Sequence, residues 1–402
     1  MSKSARYILN LIVVAHTISF YCLPCYADME VLYKPFMEVY EKGSNVEFYD
    51  AEYYDDKAFY FVYGVYNSKS INRDLYVMGV SINDKSKAVP TKILSYDDSQ
   101  KIGGISITKL NSGHLLILEV INKDHILYIE FDPSSNKAKI DEIDVAKLDK
   151  DMTDLSAKQI LAISDGSFLL SASSRGKSFI IDYNKTKGII WKFGVFGESI
   201  KDLVTVSEIS KMNEHTILVV GAVPDNKQGS VSTWIGIVEA GILKKQKIVS
   251  DVFPLAITSS RKRLLISVSN MIQNKIYIFD ESLNMKSELI TNTTLIFGKK
   301  SRVFVCDNIF LEGGQMTTEN NGSTLLLTAF EDGKKLKQFN QKIDNKQDYL
   351  KVFKEISIID NNQDAIVAST VSKMDKSGAF FNSIELSVFR FINLCELPKS
   401  TK

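Results

Sequence analysis

The sequence predicts an all-β chain folded as a single β-propeller, with seven blades of about four antiparallel strands each. Two observations carry that expectation. Apolar and polar residues alternate at a period of two, in short runs bounded by Asp, Asn, Ser and Gly, as half-buried strands and their turns require. A unit of strand, tight polar turn, strand, variable loop and third strand then recurs seven times. Its first turns fall near Asp55, Ser112, Asp165, Asn213, Ser260, Lys299 and Asn361, about 51 residues apart. The third strands close on Asn83, Asp132, Asn184, Glu239, Asp280 and Glu331, about 50 residues apart. Both spacings lie near the ~40–50 residues of a propeller blade, a unit that buries its faces only against neighbouring units. Two β-sandwiches are the alternative, but they give no reason for one spacing throughout.

From the N-terminus, Lys3 and Arg6 precede an apolar run from Tyr7 to Phe20, and Cys25-Tyr26-Ala27 places small side chains where a signal peptidase takes them. Residues 1–27 are therefore expected to be a cleaved export signal, with the mature chain periplasmic or secreted. The apolar run is shorter than the roughly 20 residues of a membrane-spanning helix, so no transmembrane segment is expected after cleavage. Cleavage moves the formal charge from +1 to −1, which offers nothing to nucleic acid. It also removes Cys22 and Cys25, the sole C-x-x-C pair. Cys306 and Cys395 remain, and they can form a disulfide if their Cα atoms come within about 7 Å.

Residues 28–45 form a lead-in segment, 46–397 the propeller and 398–402 a tail. Helical periodicity is confined to Val31–Tyr40 and Ile143–Lys158. The third unit shows the repeat best, with Gln159–Ile163, a turn at Ser164-Asp165-Gly166-Ser167, Phe168–Ala172, then Phe179–Tyr183 and Ile189–Phe193.

The stretch Phe179-Ile-Ile-Asp-Tyr-Asn-Lys-Thr-Lys-Gly-Ile-Ile-Trp-Lys-Phe193 resembles one repeat of the quinoprotein-like (PQQ-like repeat) propellers. The resemblance covers one unit; Trp234, the other tryptophan, sits on a third strand. It implies a propeller. The dehydrogenases of that family use a calcium site with carboxylates, and many carry vicinal cysteines, which this sequence lacks, so no cofactor is expected. The family also includes non-catalytic scaffolds of the bacterial envelope, and the resemblance therefore does not imply an enzyme.

His114, His125 and His215 remain in the mature chain, with neither H-E-x-x-H nor G-x-S-x-G, and no glycine-rich phosphate loop occurs. Asp149, Asp151 and Thr153 alternate like calcium ligands, but Asp154 occupies the glycine place of such a loop and Ile160 that of its glutamate. Asp360, Asn362 and Asp364 fail in the same way. The tyrosines at 49, 53, 54, 60, 63 and 66 suit a half-buried pleated surface better than a sugar-stacking platform.

Loops between second and third strands should share one face with those joining successive units, and function should concentrate there. The longest is expected from Asp307 to Thr324, carrying Phe310, Leu311, Met316 and Asn320. Met374, Phe380 and Phe381 occupy the equivalent place in the seventh unit. Aromatics and Met supply contact area for a protein partner. The expected function is thus a non-catalytic propeller that binds a partner protein through this face, as an envelope scaffold or a neutralising, immunity-type protein. No small-molecule ligand is indicated. The alternative is a glycan- or polymer-acting enzyme with paired carboxylates in the central cleft.

Overall fold

The structure is a computed structural model. It describes residues 31–39, 44–55, 58–67, 73–81, 88–96, 100–149, 155–195, 204–213, 215–224, 230–260, 262–270, 274–291, 302–305, 309–317, 323–331, 333–340, 351–360, 364–374 and 380–391. The expected signal segment, Asn320, Cys306 and Cys395 lie outside the described residues.

The chain is a single all-β propeller. Its strands are β1 (Val31–Val39), then β2 (Ser44–Asp55), β3 (Ala58–Asn67), β4 (Arg73–Ser81) and β5 (Val89–Tyr96) of sheet I. Sheet II holds β6 (Ile102–Lys109), β7 (Leu115–Ile121), β8 (His125–Asp132) and β9 (Lys137–Asp144). Sheet III holds β10 (Ser156–Ala162), β11 (Ser167–Ser174), β12 (Lys177–Asn184) and β13 (Gly188–Val195), and sheet IV holds β14 (Thr205–Lys211), β15 (Thr216–Pro224), β16 (Val231–Glu239) and β17 (Ile242–Val249). In sheet V are β18 (Phe253–Ser259), β19 (Arg263–Ser269), β20 (Asn274–Asp280) and β21 (Met285–Thr291). Sheet VI is made of β22 (Arg302–Phe304), β23 (Ile309–Thr317), β24 (Ser323–Glu331) and β25 (Lys334–Asn340). Finally β26 (Lys351–Asp360), β27 (Asp364–Met374) and β28 (Phe380–Phe391) form sheet VII, and β1 completes it in the order β1-β28-β27-β26.

Among the described residues this makes seven four-stranded antiparallel sheets. Each neighbouring pair shares its own apolar cluster. Sheets I and II meet at Val62, Leu75, Ile107 and Ile117, and sheets II and III at Leu116, Leu118, Phe168 and Leu170. Trp234 fills the seam between III and IV, Leu218 and Leu264 that between IV and V, and Phe310 with Ile276 that between V and VI. Leu327 and Val367 join VI to VII, while Phe48 and Ile384 join VII back to I. Inner strands are covered on both faces, which is why β7, Leu-Leu-Ile-Leu-Glu-Val-Ile, is buried throughout. Outer strands are not, and β17 carries Lys244, Lys245 and Lys247, charges that discourage a foreign strand from adding to the edge.

Among the described residues neither expected helix is formed. Val31–Tyr40 supplies β1, whose Pro35 lies at a bulge on an outermost strand, where a missing N–H breaks no ladder. The described residues of Ile143–Lys158 divide into the end of β9, one 3-10 turn at Val145–Lys147 capped by the Asp144 side chain on the Ala146 N–H, and the start of β10. The long loop expected over Asp307–Thr324 is also replaced, since half of that stretch, Ile309–Thr317, is β23 and β24 begins at Ser323. Glu312 and Gly313-Gly314 interrupt the apolar pattern of β23, but Glu312 is buried against Arg302 of β22. The first turn of this unit accordingly follows Val305, not Lys299.

Candidate functional site at the loop-bearing end

The first strand of every sheet lines a central channel. A bulge shifts the register at Phe48/Asp50, Ile102/Ile105, Ala157/Gln159, Val206/Glu208, Pro254/Ala256 and Phe353/Glu355. Bulges re-aim the side chains that follow them. Asp50 accepts a hydrogen bond from the Ile107 N–H at 3.1 Å, Ser106 Oγ from Ala162 at 3.1 Å, Gln159 Oε1 from Ile209 at 2.9 Å, and Glu208 from Ile257 at 2.8 Å. Four successive seams are thus cross-braced, each inner strand satisfying a free edge N–H of the next. The channel cavity measures about 300 Å³ and is lined by these groups with Lys211, Arg302 and isoleucines. Arg302 in turn gives Nε and Nη2 to Glu312 Oε1 at 3.0 and 2.5 Å.

A second polar cluster lies between sheets I and II, at the end carrying the β3–β4 turn and the β5-to-β6 connection. Arg73 begins β4, Tyr96 ends β5 and Tyr66 is next to last on β3, so antiparallel pairing alone brings them to one end. The Arg73 guanidinium is packed against three rings, 4.5 Å from the centroid of Tyr49, 5.3 Å from Tyr66 and 5.4 Å from Tyr96. Such stacking stabilises a desolvated cation by about 0.5–2 kcal/mol. Gly64 makes room: a Cβ there would stand 2.3 Å from Tyr49 Oη and 2.9 Å from Arg73 Nε.

From sheet II, Glu119 reaches the same place and is fully buried. Its Oε2 accepts from the Tyr96 hydroxyl and its Oε1 lies 3.7 Å from Arg73 Nη2. Burial pushes the Glu119 carboxyl up to about 7, opposed by the Tyr96 hydrogen bond and the Arg73 charge. Burial likewise raises the Tyr96 and Tyr49 hydroxyls far above the ordinary phenol range. Tyr66 forms the rim of the cluster, donating to Glu47 at 2.8 Å and lying 3.0 Å from the Tyr49 hydroxyl. The tyrosine-rich segment is therefore chiefly strand packing, as in the Tyr63–Tyr76 stack, with Tyr49 and Tyr66 given over to Arg73.

The expected partner-binding residues divide. Phe310 and Leu311 are fully buried in β23, Phe310 stacking on Phe330 at 4.9 Å, and so they are withdrawn from any surface. Met316 stands near the end of β23, and Met374 pairs with Phe380 where β27 turns into β28, beside Phe381. These ends share the loop-bearing face with the Arg73 cluster. The Asn382 N–H donates to Asn45 Oδ1 at 3.1 Å, which ties the β28 end to the start of β2. The start of β28 thus lies beside sheet I. Nothing in the spacing signals Arg73 and Glu119 as a pair, but a lone Glu within the apolar run of β7 is a usable sign.

The remaining candidates have local partners. Asp149 is buried against Lys192 Nζ at 2.7 Å. His114 lies 2.7 Å from Glu130, and His125 is flanked by Asp124 and Glu142. Among the described residues no group of three or more His, Cys, Asp or Glu is placed to hold a metal ion, and no helix is long and apolar enough to cross a membrane.

No family model matches the chain, and no curated protein sequence matches it. Several solved structures align with it. The β-propeller domain of the Trilobed protease from Pyrococcus furiosus, reported with an open velcro topology, aligns at 11% identity over 84% of this chain and 97% of that one, with a TM-score of 0.49. A prolyl endopeptidase aligns at 10% identity over 86% of this chain and 50% of its own, with a TM-score of 0.45. A neuraminidase-like protein of a flat-faced-bat strain from Peru aligns at 9% identity over 71% and 86%, with a TM-score of 0.39.

Proposed function

We propose that this chain is an exported, non-catalytic propeller that binds a partner protein through its loop-bearing face. It serves in this reading as an envelope scaffold or as a neutralising partner. The observation that supports the reading is the use made of polar groups in the channel. Asp50, Ser106, Gln159 and Glu208 accept from backbone N–H groups, and Glu312 holds Arg302, so the carboxylates an enzyme would offer to a substrate brace the ring instead. Contact with a partner is then assigned to the ends of β27 and β28, at Met374, Phe380 and Phe381, with Met316 on the neighbouring sheet.

A quinoprotein-like ancestry is part of the proposal. Trp191, the residue that carried the resemblance, is seated at Gly241 of the next sheet, where an added Cβ would lie 3.1 Å from the tryptophan Cβ. Gly241 has φ +80°, a conformation that favours glycine, so the seat and the turn depend on the same residue.

Affinity capture with the mature chain from its own cell envelope should retain one partner, and the triple variant Met374→Ser, Phe380→Ser, Phe381→Ser should lose it while keeping its far-UV circular dichroism. Undiminished recovery by the folded variant would refute the interface. Deleting residues 307–324 is unsuitable as a test, since it removes β23 from the core.

A further inference from the structure

We infer that Glu119 and Arg73 form a proton-operated latch at the seam between sheets I and II: protonating Glu119 removes the counter-charge that keeps the Arg73 guanidinium under the loop-bearing face and releases it towards solvent past Tyr66. The inference does not depend on the identity or existence of a partner.

The geometry supplies the parts. Arg73 is almost fully buried, and its Nε and Nη2 have no hydrogen-bond partner among the described residues, nor does Glu119 Oε1. The facing carboxylate at 3.7 Å is its balancing charge. Glu47, the other carboxylate of the cluster, is occupied by the Tyr66 and Tyr49 hydroxyls. Three aromatic faces soften the loss of solvent but carry no net charge, so a guanidinium whose counter-ion is neutralised is left unpaired in a dry site.

Every strand around Glu119 can be accounted for. Arg73 faces it from β4, Tyr96 from β5, Tyr49 and Glu47 complete the cluster from β2, and Tyr66 from β3. In its own sheet the register partners are Ile105 on β6 and Leu127 on β8, both apolar. Asp97 and Asp98, which follow Tyr96 in the chain, lie outside the described residues. The Arg73 charge lowers the proton affinity of Glu119. By linkage, proton binding must weaken the retention of Arg73 by the same factor. Tyr66, at the rim of the cluster, is 36% exposed, and Arg73 is the first residue of its strand.

Hydrogen exchange of the β3 and β4 amides, corrected for intrinsic rates, tests the latch in the mature chain. Protection there should fall about tenfold or more between about pH 8 and pH 5.5, while β15 and β16 stay constant. Glu119→Gln, uncharged at every pH, should show the low protection throughout. The inference is overturned if wild-type protection does not change, or if the step survives in Glu119→Gln. Should that variant not fold, Arg73→Met takes its place: with no guanidinium to release, the step must vanish, and its persistence is equally fatal.

Discussion

Truncating Phe310 to alanine separates a core residue from a surface anchor. The side chain is fully buried at the seam between sheets V and VI, touching Leu265, Ile276 and Ile278, stacked on Phe330 at 4.9 Å and edge-on to Phe304 at 6.0 Å. Phe→Ala changes in cores cost about 3–5 kcal/mol, from lost transfer energy plus the cavity left behind. The two ring contacts place this site in the upper part of that range, since an aromatic pair contributes about 0.5–1.5 kcal/mol beyond burial. Phe310→Leu keeps most of the volume and should cost less than about 1.5 kcal/mol. Urea unfolding followed by circular dichroism reads both, with midpoints shifting in that order and the denaturant slope unchanged. If Phe310→Ala stayed within about 0.5 kcal/mol of wild type, as an exposed loop residue would, the placement of β23 in the core would be wrong.

Two further outcomes follow from the Arg73 cluster. Gly64→Ala should destabilise by about 1–3 kcal/mol, because its Cβ meets Tyr49 and Arg73 below contact distance; a thermal melt matching wild type would show that Tyr49 does not lie over that strand. Glu119 binds its proton more tightly when folded, at about 7 against the ordinary 4.5. The stability this gives is complete below about pH 4.5 and is lost as pH rises through about 7. At about 1.4 kcal/mol per pH unit the window carries on the order of 3 kcal/mol. The unfolding free energy of wild type relative to Glu119→Gln should therefore fall by that order between about pH 4.5 and pH 8, and a flat difference would argue that Glu119 is solvated. Global stability and local retention of Arg73 thus respond to acid with opposite signs.

The repeat was legible because turn chemistry and strand ends are local. Asp132, Asn184, Glu239, Asp280 and Glu331 are the final residues of β8, β12, β16, β20 and β24. Polar turn formers such as Asp280, whose side chain accepts from the Ser282 and Asn284 N–H groups, mark such ends without help from the rest of the fold. Sheet VI misled because its polarity is paired across strands: Glu312 suggests a solvated loop until Arg302 is set beside it. The Arg73–Glu119 pair was hidden for a related reason. Its members sit on different sheets, and their meeting depends on how the sheets stack, which no periodicity records. Val31–Tyr40 reads as a helix because its strand partner, β28, lies some 350 residues further along the chain.

That last pairing bears on the order in which the molecule is made. Val31 of β1 is matched with Phe391 of β28, some 360 positions away. A chain that emerges N-terminus first holds β1 without its partner until β28 has appeared, and so distant a contact is slow to form. Sheet VII therefore lacks its fourth-strand pairing in any product that stops short of β28. A chain stopped anywhere before β28 leaves Val31–Val39 unpaired and available to proteases. The first strand is thereby satisfied only once synthesis has passed β28.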